Sequence, residues 1–265
     1  MVKRIACGVV VTLILTLWPA APALAQEGKV KTVGYLEELH VFPEKGAEFE
    51  KLMQEMVEAF EVHGFPYRLD CYRLDDLRYL AMWFVDGTAG IDKLNATWEV
   101  LAPKWGEEKS ATWIKELYST MSHWETSVWI PRPDLSYTPE NQADEYQYIV
   151  WGLLAVKLGH KEVVDELMKK YMQAVDEHDI PHAWAAADGH VGVDIPTISF
   201  VEWSSSAGSY WMRKDEEGKN EELTKKTNAV WQEILPHIRG FEWVAGQYLE
   251  ELSYRPKKKE AAAKE

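Results

Sequence analysis

Residues 62–67, VHGFPY, and residues 177–182, EHDIPH, decide how this chain folds. Each stretch ends a helix-like run with His-x-x-Pro and leads into a run of strand-forming residues, and His178 follows His63 by 115 positions. Further pairs at or near this spacing are Leu39 and Leu154, Val41 and Val156, Leu52 and Leu167, and Tyr137 and Tyr254. A repeat with so long a period indicates two copies of one supersecondary unit.

Hydrophobic periodicity predicts the same order of elements in both copies: strand, helix, strand, strand, helix, strand. In the first copy the elements are strand 33–42, a helix marked by Phe49 to Phe60 and ended by Gly64 and Pro66, hairpin strands 67–74 and 78–85, a helical stretch reaching Leu117 that breaks near Pro103 and Gly106, and strand 121–130. In the second they are strand 148–158, helix 163–175, hairpin strands 182–188 and 197–203 around a turn at 189–192, helix 221–235 and strand 238–248.

This order predicts an α+β protein built from two fused βαββαβ, ferredoxin-like repeats. Each four-stranded sheet has helices on one face and leaves the other face bare. Packing the two bare faces together gives a single-chain α+β barrel, and large aromatic side chains suit its interior. We expect the first repeat over 26–130, a linker rich in Pro, Asp and Asn over 131–144, the second repeat over 145–254, and a charged tail over 255–265.

The N-terminal segment has the pattern of a cleavable signal peptide. Lys3 and Arg4 precede a short apolar run, and Ala23-Leu24-Ala25 forms a small-x-small site, so we expect cleavage after Ala25,. The run is shorter than the ~20 residues that span a bilayer, and no later run is long and apolar enough to do so. The mature protein is therefore expected in the periplasm or outside the cell.

Charge and cysteine content exclude several classes of function. The formal net charge is −14, and removal of Lys3 and Arg4 with the signal peptide makes it −16. So acidic a protein lacks the basic footprint that nucleic acid or an anionic membrane requires. Cys71 is the only cysteine of the mature chain, so neither an iron–sulfur cluster nor a cysteine-rich zinc site can be built,.

The opening of the second copy resembles that of the dimeric α+β-barrel superfamily. Residues 156–162, VKLGHKE, followed by LMKK at 167–170, are similar to the strand–turn–helix pattern V-K-x-G-x-x-E…L of that superfamily. The first copy has VFPEKGAEF at 41–49 in the same place. Relatives include the antibiotic-biosynthesis monooxygenase-like, NIPSNAP-like and chlorite dismutase-like proteins.

The resemblance implies a cavity on the open sheet face that holds haem, a small aromatic substrate or nothing. The haem-degrading branch has an Asn on the first strand, whereas neither 33–42 nor 148–158 contains one. We therefore do not assign haem degradation to this chain. No histidine of the chain matches the proximal haem histidine of the chlorite dismutase branch. Haem stays open as a cofactor.

Strand alternation brings four polar residues together as candidate catalytic groups. Glu38 and His40 lie on the face of the first strand opposite Leu39, and His123 and Glu125 share a face of the last strand,. First and last strands are neighbours in a ferredoxin-like sheet. The four side chains therefore form a candidate divalent-metal site, a general base with its orienting partner, or cross-strand pairs on a solvated edge.

A second set of residues is predicted to bind a ligand. Trp151 faces the interior from the first strand of copy two, His182 and Trp184 share a face of the next strand, and Tyr67 aligns with His182. Glu242 is expected near the polar residues of the first sheet. The alternative for this set is ordinary core packing with one hydrogen-bonded histidine.

Three functions remain open from the sequence. The favoured one is an exported barrel that binds a small hydrophobic or aromatic ligand, haem included, in a Trp-lined cavity. The second is a monooxygenase-like or haem-dependent oxidoreductase. The third is a structural protein whose barrel is filled and whose outer surfaces form a homo-oligomer.

Overall fold

The computed structural model describes residues 32–138, 146–178, 180 and 183–257. The predicted signal peptide, residues 139–144 of the predicted linker and most of the charged tail lie outside the described residues. Export and cleavage after Ala25 therefore stay predictions.

The first repeat follows the predicted order of elements. They are β1 (Thr32–Val41), α1 (Gly46–His63), β2 (Leu69–Leu74), β3 (Arg78–Asp86), α2 (Ala89–Trp105), α3 (Glu107–Ser119) and β4 (Met121–Pro131). Helix α1 ends at Gly64, which adopts a left-handed φ of 67° and donates its N–H to the Phe60 carbonyl. Glycine takes this conformation without a steric penalty, which is why the repeated motif ends the helix here.

The second repeat has the same order of elements as the first, and its helices differ from the prediction at one point. Its elements are β5 (Tyr148–Val156), α4 (Lys161–Asp176), β6 (Trp184–Val191), β7 (Thr197–Ser204), α5 (Ala207–Lys219), α6 (Glu221–Ile234) and β8 (Ile238–Tyr248). The sequence predicted a single helix over 221–235, but α5 precedes it. The Ser206 hydroxyl caps α5 by accepting the N–H of Ser209,.

The predicted hairpin turn at 189–192 is wrong at its start, because β6 continues to Val191. The reason is a second partner strand. Gly189 and Val191 pair with Trp129 and Val128 of β4, so these backbone groups are held in a ladder.

The eight strands close into a barrel in the order β1-β3-β2-β8-β5-β7-β6-β4. Each repeat contributes its four strands in the order fourth, first, third, second, all antiparallel. The two sheets join where β2 pairs with β8 and where β4 pairs with β6. The predicted α+β barrel made of two fused ferredoxin-like repeats is confirmed.

Alternate residues of each strand face the barrel interior and the helices. Leu36 and Trp151 belong to one buried cluster inside the barrel, whereas Leu39 packs beneath the helices of the first repeat and Val156 beneath those of the second. None of the helices in the described part of the chain is both long and apolar enough to cross a membrane.

Candidate ligand cavities and a histidine–carboxylate cluster

A cavity of about 610 Å³ lies in the second repeat, between the outer face of its sheet and helices α4, α5 and α6. We call it the second-repeat cavity. Its walls are mostly apolar and aromatic, and they include Leu154, Met168, Tyr171, Phe200, Tyr210, Trp211, Trp231, Phe241 and Trp243. The volume lies within the range of about 300–1,000 Å³ found for small-molecule sites.

Aromatic side chains occupy the matching position of the first repeat. Trp83 is 3% exposed and lies within 6.2 Å, between ring centroids, of Phe60, Phe65 and Trp98. Its indole N–H donates to the Glu37 carboxylate at 2.8 Å. The helices of this repeat therefore pack directly on a filled aromatic core.

The strand register shows which residues of the first repeat are replaced by smaller ones at the second-repeat cavity. Tyr35 lies opposite Trp83 in the first sheet, and Val150, 115 positions after Tyr35, lies opposite Glu202 in the second. Glu202 therefore occupies the place of Trp83. By the same register Gly152 occupies the place of Glu37. The second repeat therefore has a carboxylate where the first has the indole, and a glycine where the first has the carboxylate that binds the indole.

An ionic group closes one end of the second-repeat cavity. The Lys214 ammonium lies 2.7 Å from the Glu202 carboxylate and 3.3 Å from that of Glu217. Burial acts to lower the pKa of Lys214, but the negative charges of Glu202 and Glu217 have the larger combined effect and raise it. Burial and the Glu202 charge also raise the pKa of the Tyr210 hydroxyl. The apolar space therefore has one polar end with a fixed ammonium and a neutral phenol.

Three aromatic side chains form the rim of this cavity and are open to solvent. Phe241, Trp211 and Trp243 are 45%, 46% and 54% exposed. The Trp211 and Trp243 rings meet edge to face at 5.9 Å, and Phe241 packs against Trp231 at 5.3 Å. Exposed large aromatics around an apolar opening are typical of a binding surface.

The barrel interior holds a second space of about 490 Å³, the barrel cavity. Its aromatic lining includes Trp129, Trp151 and Trp203. The first two indoles donate to serine hydroxyls, Trp129 to Ser127 and Trp151 to Ser199, both at 2.8 Å. The polar atoms of these two indoles are therefore already hydrogen-bonded, while the charged side chains on the wall are the paired Arg68 and Asp70, and Arg255.

The four candidate catalytic residues meet on two neighbouring strands, as the alternation predicted. In the β1–β4 pairing Glu38 lies opposite Glu125 and His40 opposite His123. The two imidazole rings stack with centroids 3.7 Å apart, and His123 Nε2 lies 3.5 Å from Glu125 Oε1. One potential ligand atom from each of His40, His123 and Glu125 lies within 4.8 Å of the others.

Burial distinguishes the members of this histidine–carboxylate cluster. Burial raises the pKa of Glu38, although its ion pair with Arg78 at 2.6 Å opposes the shift. Burial and the adjacent His123 lower the pKa of His40. The His123 and Glu125 side chains are 53% and 60% exposed. The cluster therefore has a buried side and an open side, and none of its members lines either cavity.

The predicted ligand-binding residues do not form one site. Trp151 lines the barrel cavity, and Trp184 lines both cavities. Tyr67 instead packs on the first-repeat core beside Phe65, at 5.8 Å between ring centroids. Glu242 lies opposite Leu153 in the β5–β8 ladder and lines neither cavity. His182 lies outside the described residues.

Haem has no histidine to bind its iron among the described residues that line the two cavities. The other side chains that ligate haem iron are cysteine, methionine and tyrosine. Met168, Tyr171 and Tyr210 line the second-repeat cavity, but the two tyrosine hydroxyls have raised pKa values, chiefly because of burial. Raised pKa values disfavour the phenolate form that would bind iron, so these two tyrosines are poor haem ligands.

Comparison with known proteins supports the fold. No family model and no curated protein matches the chain. An anthrone oxidase-like protein has a similar structure, with a TM-score of 0.58 and 14% identity over 90% of this chain and 98% of that one. A proposed monooxygenase from Lactobacillus acidophilus NCFM gives a TM-score of 0.54 and 8% identity, covering 85% of this chain and 97% of the other.

Chlorite dismutase from Candidatus Nitrospira defluvii, solved in complex with imidazole, is also similar. Its TM-score is 0.52 and its identity 10%, over 84% of this chain and 93% of the dismutase. Identities this low carry the fold and no activity. The chain therefore shares the α+β-barrel fold of these structures.

Proposed function

We propose that this protein binds a small, largely apolar aromatic molecule in the second-repeat cavity. The observation that carries the proposal is the difference between the two repeats. One copy of the duplicated unit fills the space under its helices with Trp83, and the other leaves about 610 Å³ empty at the same place. A solvent-accessible apolar cavity of this size leaves hydrophobic side chains in contact with water, which a bound apolar ligand would displace.

The chemistry of the cavity defines the class of ligand. Its walls offer dispersion and ring-stacking contacts, which favour a planar aromatic molecule. Lys214, Glu202 and Tyr210 at the polar end supply both donors and acceptors for one polar substituent of the ligand,. The exposed rim of Trp211, Trp243 and Phe241 gives the ligand a path from solvent.

Binding of a neutral aromatic dye to the complete chain tests this proposal. N-phenyl-1-naphthylamine, whose fluorescence rises in apolar surroundings, is expected to bind saturably. Gly218 lines the cavity, and a Cβ added there meets no atom within 4 Å. Gly218 is exposed, so Gly218→Phe is expected to place a ring across the open edge of the cavity and weaken dye binding by at least about tenfold, the equivalent of 1.4 kcal/mol,.

Two variants serve as controls for this experiment. Gly218→Ala makes the same change to the helix backbone without filling the cavity, and it should bind the dye as the unaltered protein does. Ala187→Leu narrows the barrel cavity instead. Dye binding that Ala187→Leu weakens and Gly218→Phe leaves unchanged would move the ligand to the barrel cavity and contradict the proposal.

An oxidoreductase function is the alternative class, which the structural similarity to the anthrone oxidase-like protein and to chlorite dismutase suggests. Haem gives it an optical test. A saturable Soret band that disappears in Gly218→Phe would make haem the ligand of the second-repeat cavity. Free-haem absorption unchanged by the protein would leave a smaller aromatic ligand. The predicted signal peptide would place either function in the periplasm or outside the cell.

A further inference from the structure

The histidine–carboxylate cluster has the donor set of a transition-metal site and lies apart from both cavities. Two imidazoles and one carboxylate suit Zn²⁺ and neighbouring divalent ions. His40 and His123 face each other across the β1–β4 ladder, and Glu125 follows His123 by two positions on the same face. Strand geometry therefore fixes all three residues on one small patch.

An unsatisfied atom in this cluster points to a missing partner. The Nε2 atom of His40 is buried and has no hydrogen-bond partner. A buried polar atom without a partner costs free energy that a bound ion would recover. One ring nitrogen of His40, one ring nitrogen of His123 and a Glu125 carboxylate oxygen lie within 4.8 Å of one another.

Hydrogen bonds around Ser122 set the tautomer of His123 that binds metal. The Ser122 hydroxyl donates its only hydrogen to the His40 carbonyl at 3.1 Å. At its 3.0 Å contact with His123 Nδ1, the same hydroxyl must then accept a hydrogen from the ring. Nδ1 carries the proton and Nε2 presents its lone pair, which is the arrangement that oriented metal ligands have in known sites.

Distances and charge agree with this assignment. Ligand atoms about 2.0–2.2 Å from a tetrahedral Zn²⁺ lie about 3.3 Å apart, and His123 Nε2 already lies 3.5 Å from Glu125 Oε1. To close the remaining distance, the two rings must turn out of their stacked arrangement. The His123 side chain is 53% exposed and has room to turn. Glu38 and Glu125 add negative charge against one cation, Arg78.

We propose that His40, His123 and Glu125 bind one divalent transition-metal ion, best matched by Zn²⁺, with its fourth position open to water. Three protein ligands with an open fourth position is the arrangement of accessible rather than structural zinc sites. Ser122 acts as a positioning residue that holds His123 in its metal-binding tautomer.

Zinc titration of the complete, metal-depleted chain by calorimetry tests the site. The unaltered protein is expected to bind one Zn²⁺ per chain. His123→Ala and Glu125→Gln, both at exposed side chains, should each weaken binding by more than about tenfold without changing the melting temperature. Ser122→Ala should cost about tenfold, the lower end of effects seen for residues that orient metal ligands.

His63→Ala is the matched control, since it removes a histidine from the end of α1, outside the cluster. Its zinc affinity should equal that of the unaltered protein. The site is disproved if no saturable binding occurs, or if His123→Ala binds zinc as tightly as the unaltered chain. Dye binding measured in the same samples reports on the cavities and not on this cluster, which lines neither of them, so the two proposals fail separately.

Discussion

Glu37→Gln is expected to make the protein more stable at pH 8 by up to about 3 kcal/mol, with a much smaller gain at pH 5. Burial raises the pKa of Glu37 from 4.5 to about 7, even though the Trp83 indole donates to its carboxylate. Between these two values the folded protein keeps a proton that the unfolded chain releases. The stability that depends on protonated Glu37 is therefore fully present below pH 4.5, and it is lost as the pH rises through 7.

Denaturant unfolding of both proteins at pH 5 and pH 8 measures this difference. Glutamine keeps an oxygen that accepts from the Trp83 indole, so the variant removes the titration and retains the hydrogen bond. Glu99→Gln, on the exposed face of α2, is the control and should alter the two free energies of unfolding equally. A gain from Glu37→Gln that is the same at both pH values would show that this carboxyl is not buried.

Trp83→Ala is expected to lower the free energy of unfolding by about 3–5 kcal/mol, the usual cost of truncating a buried tryptophan. The indole is 3% exposed and packs against Phe60, Phe65 and Trp98. The change also leaves the Glu37 carboxyl without its donor. Thermal and denaturant unfolding would both show the loss.

Trp211→Ala tests whether Trp211, at the rim of the second-repeat cavity, contributes less to stability than the buried Trp83 does. Trp211 is 46% exposed at the opening of the second-repeat cavity. Its truncation should cost less than about 1 kcal/mol of stability and should weaken binding of N-phenyl-1-naphthylamine. If both tryptophan variants destabilised the protein equally, the contrast between a filled and a hollow repeat would be wrong.

Local sequence signals predicted the fold because each one has a direct physical cause. Gly64 ends α1 through its left-handed backbone, and the alternation of Leu36 with Leu39 assigns the two faces of β1. The meeting of His40 with His123 also followed, since ferredoxin-like topology makes first and last strands neighbours. These inferences need only the order of elements and the two-residue period of a strand.

The second-repeat cavity could not be predicted in the same way. Its cause is the placement of Glu202 where the first repeat has Trp83, and this equivalence holds at 119 positions rather than at the 115 that relates β1 to β5. A comparison at one fixed spacing does not pair these residues. The serine run at 204–206 predicts a helix cap, but the extent of α5 was missed because Gly208 and Gly218 weaken its helical pattern and only Tyr210 in it is buried,.

The short ladders that join the two repeats bear on how this protein moves. The β2–β8 pairing runs only from Tyr72 opposite Tyr248 to Leu74 opposite Gly246, and the β4–β6 pairing contains a bulge. Ladders made by the first strand of each repeat are much longer, as in the β1–β3 pairing from Thr32 to His40. Native-state amide exchange should therefore be faster in these two ladders than in the β1–β3 and β5–β8 ladders,. Opening of a junction would give access to the barrel cavity, whereas the second-repeat cavity already reaches solvent through its aromatic rim.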